Sequence, residues 1–205
     1  MEKVIVTICR EYGSGGRIIG ERVAERLGVP YYNRNLIDMA AKESGLAEGY
    51  INKFEEKVSS PFVWGIPMGR NGAAFSAMSG HYYSNEEKMY MAQSKIIRQV
   101  AGEGSCVIVG RLADYILEDE PGCIKVFIHG DKDARIDKAF KEYGYATRAE
   151  AEKAVKTIDK NRAAYHKKYA DRSWSDCRNY HLCLNSTWLG ADKCADIIVD
   201  AVSNK

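Results

Sequence analysis

A β-branched run, Val4-Ile5-Val6-Thr7-Ile8, leads into Arg10-Glu11-Tyr12-Gly13-Ser14-Gly15-Gly16-Arg17, and Ile18-Ile19-Gly20-Glu21-Arg22 follows. The order reads as strand, glycine-rich loop, helix, and it constrains the fold more than any other part of the chain. Such a loop aims several backbone N–H groups and the positive end of a helix at one point, which suits a phosphate. A basic residue at the end of the loop can reach terminal phosphates. Here that residue is Arg17, where loops of the Walker type carry Lys. With Gly16-Arg17 placed on the usual Gly-Lys, Glu11 stands at the first glycine, and Ile18 and Ile19 follow where a hydroxyl is usual. The other reading of the stretch is a glycine-rich turn that packs a helix close to a sheet.

A chain of 205 residues is of single-domain size, and 45% hydrophobic residues suffice for a full core. A net charge of +2 marks neither a nucleic-acid binder nor a membrane binder. No run approaches the ~18 unbroken apolar residues of a membrane span. Met1-Glu2-Lys3-Val4 runs straight into a strand without the design of a signal peptide, so a cytoplasmic protein is expected. Six cysteines are present and none forms a C-x-x-C pair, which gives a zinc site little support. Cys106 and Cys183 sit in apolar strand-like runs and Cys9 and Cys123 border such runs, so buried, reduced thiols are expected.

The apolar period from Arg17 to Leu27 predicts a helix stopped by Gly28 and Pro30. Tyr31-Tyr32 is a short extended piece, and helices are predicted over 34–44 and 47–57. From Ser59 to Tyr83 the pattern dissolves into Gly, Ser and aromatics, the mark of a long functional or mobile loop. Ser84-x-x-Glu87 is a capping box opening a helix to Glu103. Cys106-Val107-Ile108-Val109 is a strand covered on both faces, followed directly by Gly110-Arg111. A short helix over 112–117 and the strand 124–129 come next. Asp131 caps a helix to about Tyr143, Thr147 or Arg148 starts a long charged helix to about Tyr169, and 180–185 and 191–202 are the last strand and helix. Strands alternating with helices imply a parallel α/β sheet with helices on both faces, with ligands at the carboxyl ends of the strands.

Phosphoryl transfer needs positioning and positive charge more than covalent chemistry. Arg17, Arg111, Arg135, Lys138, Arg148 and Arg162 lie near predicted strand ends or on the charged helix. Arg135 and Lys138 share a helix face, as do Asp159 and Arg162. Arg111-Leu112-Ala113-Asp114 reads either as a local ion pair at a helix start or as a site where Arg holds an anion and Asp accepts from a ring amine or hydroxyl.

Taken in order, Thr7-Ile8-Cys9-Arg10-Glu11-Tyr12-Gly13-Ser14-Gly15-Gly16-Arg17, Pro30-Tyr31-Tyr32-Asn33, Val109-Gly110-Arg111-x-x-Asp114, Asp159-Lys160-Asn161-Arg162 and Leu184-Asn185-Ser186-Thr187 resemble the cytidylate kinase-like family of nucleoside monophosphate kinases. The resemblance implies a three-layer P-loop NTPase fold over residues 1–205, with a monophosphate-binding region over about 31–90 and a lid over about 144–165. It implies ATP and Mg²⁺ as cofactors and a small-molecule phosphate acceptor, CMP or dCMP being the family's type. Gly13, Ser14, Gly15, Gly16, Arg17 and Ile18 would cradle the ATP phosphates. Arg111, Asp114 and Asp159 would serve the substrate side, and Arg17, Arg135 and Arg162 the transfer. With no hydroxyl after Arg17, Mg²⁺ would be held by water, substrate oxygens or another side chain such as Asp114. Val155 stands where the family's lid carries an arginine, with Lys153 and Lys156 beside it. These departures keep open a second reading, a nucleotide-binding regulatory module that has lost efficient transfer. An α/β protein with no nucleotide role is the third.

Overall fold

The computed structural model describes residues 3–33, 35, 36, 39 and 85–204. The expected helices at 34–44 and 47–57, the long loop at 59–83 and the capping Ser84 lie outside these residues, apart from positions 35, 36 and 39 of the first. The strands are β1 (Ile5–Arg10), β2 (Tyr31–Tyr32), β3 (Cys106–Val109), β4 (Cys123–His129) and β5 (Leu182–Asn185). They form one parallel sheet in the order β2-β3-β1-β4-β5. The helices are α1 (Gly16–Leu27), α2 (Asn85–Glu103), α3 (Ala113–Ile116), α4 (Lys132–Glu142), α5 (Arg148–Ala170) and α6 (Ser186–Ser203).

Alternation along the strands builds the three layers. Val6 and Ile8 of β1, Val107 and Val109 of β3 and Ile124, Val126 and Ile128 of β4 share a core with Ile19, Val23 and Ala24 of α1 and Cys194, Ala195 and Ile198 of α6. The intervening Ile5, Cys106 and Ile108 face the other way, against Ile96, Ile97, Val100 and Ala101 of α2 and Ala113, Ile116 and Leu117 at α3. Successive strand side chains point to opposite faces, so an apolar run without alternation is what a sheet covered on both sides requires. α4 and α5 close a smaller core of their own, from Ile136, Ala139, Tyr145, Ala151 and Val155.

Element ends follow capping chemistry. Gly28 closes α1 in the left-handed conformation, and Thr147 caps α5 by accepting from the Glu150 N–H. Asp131 occupies the N-cap of α4, but its carboxylate accepts from Asn185 Nδ2 at 3.2 Å instead of capping the helix. α6 begins five residues earlier than the periodicity predicts, because a first turn from Ser186 precedes a break at Gly190 (φ 77°, ψ 164°). All six cysteines are free thiols. Cys9, Cys106, Cys123 and Cys194 are buried as expected, whereas Cys177 and Cys183 are exposed. Cys183 lies on edge strand β5, on the face away from Leu184 and α6, where burial does not reach.

Candidate active site at the glycine loop

The chain leaves β1 at Arg10 and turns tightly through the loop into α1. The Glu11 N–H donates to the Ile128 carbonyl at 2.9 Å and the Ser14 N–H to the Glu11 carbonyl at 3.3 Å. Gly13 and Gly15 have φ of 80° and 75°, and α1 starts at Gly16 with Gly15 as its N-cap. The Ser14 hydroxyl turns inward to the Glu11 carbonyl (2.8 Å), and the Ser14 carbonyl accepts from the Ser186 hydroxyl (2.7 Å). The loop is thus tied to β4 on one side and to α6 on the other. The start of a twelve-residue helix, with Gly15 and Gly16 at its head, lies at the carboxyl end of the sheet.

Arg135 holds this loop from below. Its Nε donates to the Gly130 carbonyl (3.0 Å) and lies 3.1 Å from Glu11 Oε2, while its Nη1 donates to the Tyr12 carbonyl (3.0 Å) and Asp159 Oδ2 (2.7 Å). Glu11 Oε2 accepts from the Gly130 N–H, and Asp159 Oδ1 accepts from the Tyr12 N–H at 2.8 Å. One buried guanidinium and two carboxylates therefore join the loop, the β4–α4 turn and helix α5. The structure places Arg135 and Asp159 inside this staple, each with protein partners, beside the space a ligand would fill.

Four further cations surround the loop. Arg162 of α5 donates from Nη1 to the Arg10 carbonyl (2.7 Å), sits 3.8 Å from Asp159 Oδ1 and lies over the Tyr12 ring. Burial, and secondly the charge of Arg10, push the Arg162 guanidinium down to about 9, and burial lowers Arg10 as well. The Arg10 side chain runs beneath Gly16, where an added Cβ would lie 2.6 Å from Arg10 Cβ, to Gly110, where an added Cβ would lie 1.8 Å from Arg10 Nη1. Lys138 reaches across from α4, its Nζ 3.1 Å from where a Gly15 Cβ would stand. Arg17 is at the mouth: its side chain is 66% exposed, and Nε is 3.9 Å from Glu21 on the next turn. Ile18 is half-buried beside it. Arg148, by contrast, lies outside this group, paired with Asp133 and Asp137 on the exposed flank of α4.

Past β3 the backbone is left-handed at three successive residues, Gly110 (φ 75°), Arg111 (62°) and Leu112 (57°). Two of these are not glycine, and strain of this kind gathers at functional sites. The Arg111 carbonyl accepts from Gln93 Nε2 of α2 at 3.1 Å. The turn delivers Asp114 to the buried interior, where it does not face the loop. Asp114 accepts from Cys9 Sγ (3.2 Å), meets His166 Nε2 of α5 (3.0 Å) and lies 3.5 Å from Arg172 Nη2. Burial alone would raise its carboxyl, but His166, Cys9 and Arg172 outweigh that and hold it below the usual carboxylate range. Burial, then the Asp114 charge, keep the Cys9 thiol protonated well above its ordinary range, so it donates and is no nucleophile.

Magnesium asks for oxygen ligands in octahedral array. Among the described residues at the loop, Ser14 Oγ bonds the Glu11 carbonyl, Glu11 and Asp159 are bound to Arg135, Asp114 is enclosed, and residue 18 is apolar. This donor set does not fit a metal held by protein side chains. The Cys9, Asp114 and His166 ligand atoms lie within 4.8 Å of one another, but soft and imidazole donors do not suit magnesium, and these groups satisfy each other by hydrogen bonds.

The sequence reading missed Arg10, whose place at the end of an apolar run reads as a strand residue. It named Lys138 among the cations for phosphoryl transfer and on the helix face of Arg135, but did not place it over Gly15. The signal available for both was glycine: Gly16 and Gly110 leave room for Arg10, and Gly15 leaves room for Lys138.

The solved structures that this fold is similar to include an uncharacterized protein from Eubacterium ventriosum ATCC 27560, at 26% identity and a TM-score of 0.72 over 99% of this chain and 100% of that one. A gluconokinase from Sinorhizobium meliloti 1021 is similar at 14% identity and a TM-score of 0.58, covering 98% and 93%. A shikimate kinase from Acinetobacter baumannii in complex with shikimate is similar at 12% identity and 0.54, covering 100% and 96%. These two share the fold, the three-layer α/β architecture of P-loop kinases. No curated protein matches the chain in sequence. The pattern of the cytidylate kinase-like family matches residues 5–188, nearly the whole length described above, and the chain therefore belongs to the cytidylate kinase-like family.

Proposed function

We propose that this protein is an ATP-dependent phosphotransferase of the cytoplasm that phosphorylates CMP, dCMP or a related small molecule. The observation that carries the reading is the glycine loop with its surplus of cations at the carboxyl ends of β1 and β3. Gly13, Ser14, Gly15, Gly16, Arg17 and Ile18 cradle the donor phosphates. Arg17 at the mouth and Lys138 over Gly15 add charge, and Arg162 closes on the transferring group from α5. Arg135 and Asp159 position the loop. Arg111, on its strained turn, serves the acceptor, with Asp114 fixing the turn from below. Within this single unit of 1–205, the 31–90 region receives the monophosphate and 144–165 acts as the lid. Mg²⁺ arrives as the ATP complex, held by phosphate oxygens and water. A phosphate acceptor is already ionised, so no general base is required, and closure supplies orientation and excludes water.

The test is ATP-dependent ADP release with Mg²⁺ and CMP, dCMP, UMP, AMP, gluconate or shikimate as acceptor. Turnover on one of them, falling about 10²-fold or more in Arg162→Ala, supports transfer. The absence of a metal-holding donor set among the described residues favours a second reading, a regulatory module that binds nucleotide without transferring phosphate. ATP binding with no turnover on any acceptor would select it, and no ATP binding would end both.

A further inference from the structure

Arg10 is a partly buried cation at the end of β1. Its carbonyl accepts from Arg162, yet among the described residues its side chain makes no hydrogen bond or ion pair. Its electrostatic neighbours include two more cations, Arg162 and Arg17. The nearby carboxylates, Glu11 and Asp159, are held by Arg135. A desolvated charge without a counter-charge is costly, and a protein retains one where a ligand supplies the partner. The path of the side chain is also fixed. It passes beneath Gly16, the first residue of α1, and ends against Gly110, so both glycines leave space that Arg10 occupies. The guanidinium is thereby presented at the seam of β1 and β3, at the carboxyl end of the sheet. A P-loop kinase would bring a metal to this end of the sheet, through a hydroxyl of the loop and a carboxylate at a strand end. Here Ile18 and Ile19 follow Arg17 in place of the hydroxyl, and Asp114 is turned into the core by Cys9, His166 and Arg172.

We infer that Arg10, with Arg162 beside it, neutralises the phosphates bound at the glycine loop in place of a protein-held metal, so that nucleotide binding here is independent of Mg²⁺ and dependent on Arg10. The inference rests on the ATP-binding reading given above. A guanidinium is suited to the task because its planar fork meets two phosphate oxygens at once and keeps its charge at neutral pH. Arg17 is the cation of the exposed mouth, and its loss is felt less.

Calorimetric titration of the whole chain with ATP, in excess EDTA and again in excess MgCl₂, tests this without any turnover. The expected result is dissociation constants for the unaltered protein that agree within about threefold between the two media. Arg10→Gln should then weaken ATP at least about tenfold in both, Arg10→Lys less, and Arg17→Ala less than Arg10→Gln. Melting of the ligand-free proteins supplies the control for folding. Removing an unpaired, partly buried cation should leave the Arg10→Gln melting temperature equal to or above that of the unaltered protein, while abolishing most of its rise with ATP. Binding by the unaltered protein only when Mg²⁺ is present, or Arg10→Gln binding as tightly as the unaltered protein, would overturn the inference while leaving the ATP-binding reading in place. Absence of ATP binding in both media would remove that reading and this inference with it.

Discussion

A methyl group on Gly13 would lie 2.4 Å from the Arg135 carbonyl oxygen, on a backbone whose φ of +80° a side chain already disfavours. Both penalties fall on the same atom, so Gly13→Ala should lose about 1–3 kcal/mol of unfolding free energy in urea melts. Gly28, equally left-handed but open to space, should tolerate alanine at the lower end of that range. Gly13 was legible in the sequence because a strand followed by clustered glycines has few uses. Arg135 was legible as a cation near a strand end, but its part in the structure was not. Its partners Glu11, Tyr12 and Asp159 are far from it along the chain, and only the fold decides that a guanidinium with so many acceptors holds a loop. The same limit applies to Arg10. Nothing in the local pattern separates a strand-end arginine that points to solvent from one threaded under two glycines.

At the scale of the element, helix α5 carries the argument. It reaches the loop through Asp159 and Arg162 and the strained turn after β3 through His166. Its extent, from Thr147 or Arg148 to about Tyr169, was readable in advance, as were the starts of α1 and α4, because helix starts and stops are local signals. The Asp114–His166 contact was not readable, since 52 residues separate its partners. This contact makes a prediction about acid. The Asp114 carboxyl is held below its ordinary range in the folded state, so as pH falls the unfolded chain takes up the proton first. Its stabilisation is complete above the unfolded value of about 4 and is lost as pH drops below it. Asp114→Ala leaves His166 and Arg172 facing a buried gap and should cost about 3–5 kcal/mol at neutral pH. The variant should also show a flatter loss of stability between about pH 5 and 2 than the unaltered protein, which urea melts across that range would measure.

Across the described residues, the cores differ in how they are covered. β1 lies at the centre of the sheet, between β3 and β4 and under helices on both faces, whereas α4 and the first half of α5 rest on a small core of five buried residues. Opening should follow that difference. In hydrogen exchange, amides of β1, β3 and β4 should be the slowest, those of α4 and α5 faster, and ATP should slow α5 most of all. Uniform protection across the chain would contradict this order. The exposed pairs of Arg22 and Arg26 with Asp192 and Asp196 link α1 to α6, and pairs of this kind add only about 0.2–1 kcal/mol each. What fastens α6 to α1 is the apolar face of Cys194, Ala195 and Ile198. The first turn of α6 has other attachments: Ser186 to the Ser14 and His129 carbonyls, and Thr187 to the Asp131 N–H. Gly190, with φ of 77° and ψ of 164°, lies between the two groups. An unbroken helix would act as a lever, carrying each displacement of the glycine loop into the packed body of the protein. The interruption makes the first turn a short tether between the glycine loop and the packed body, so a displacement of the loop would be taken up at Gly190 while the core beneath keeps its registry.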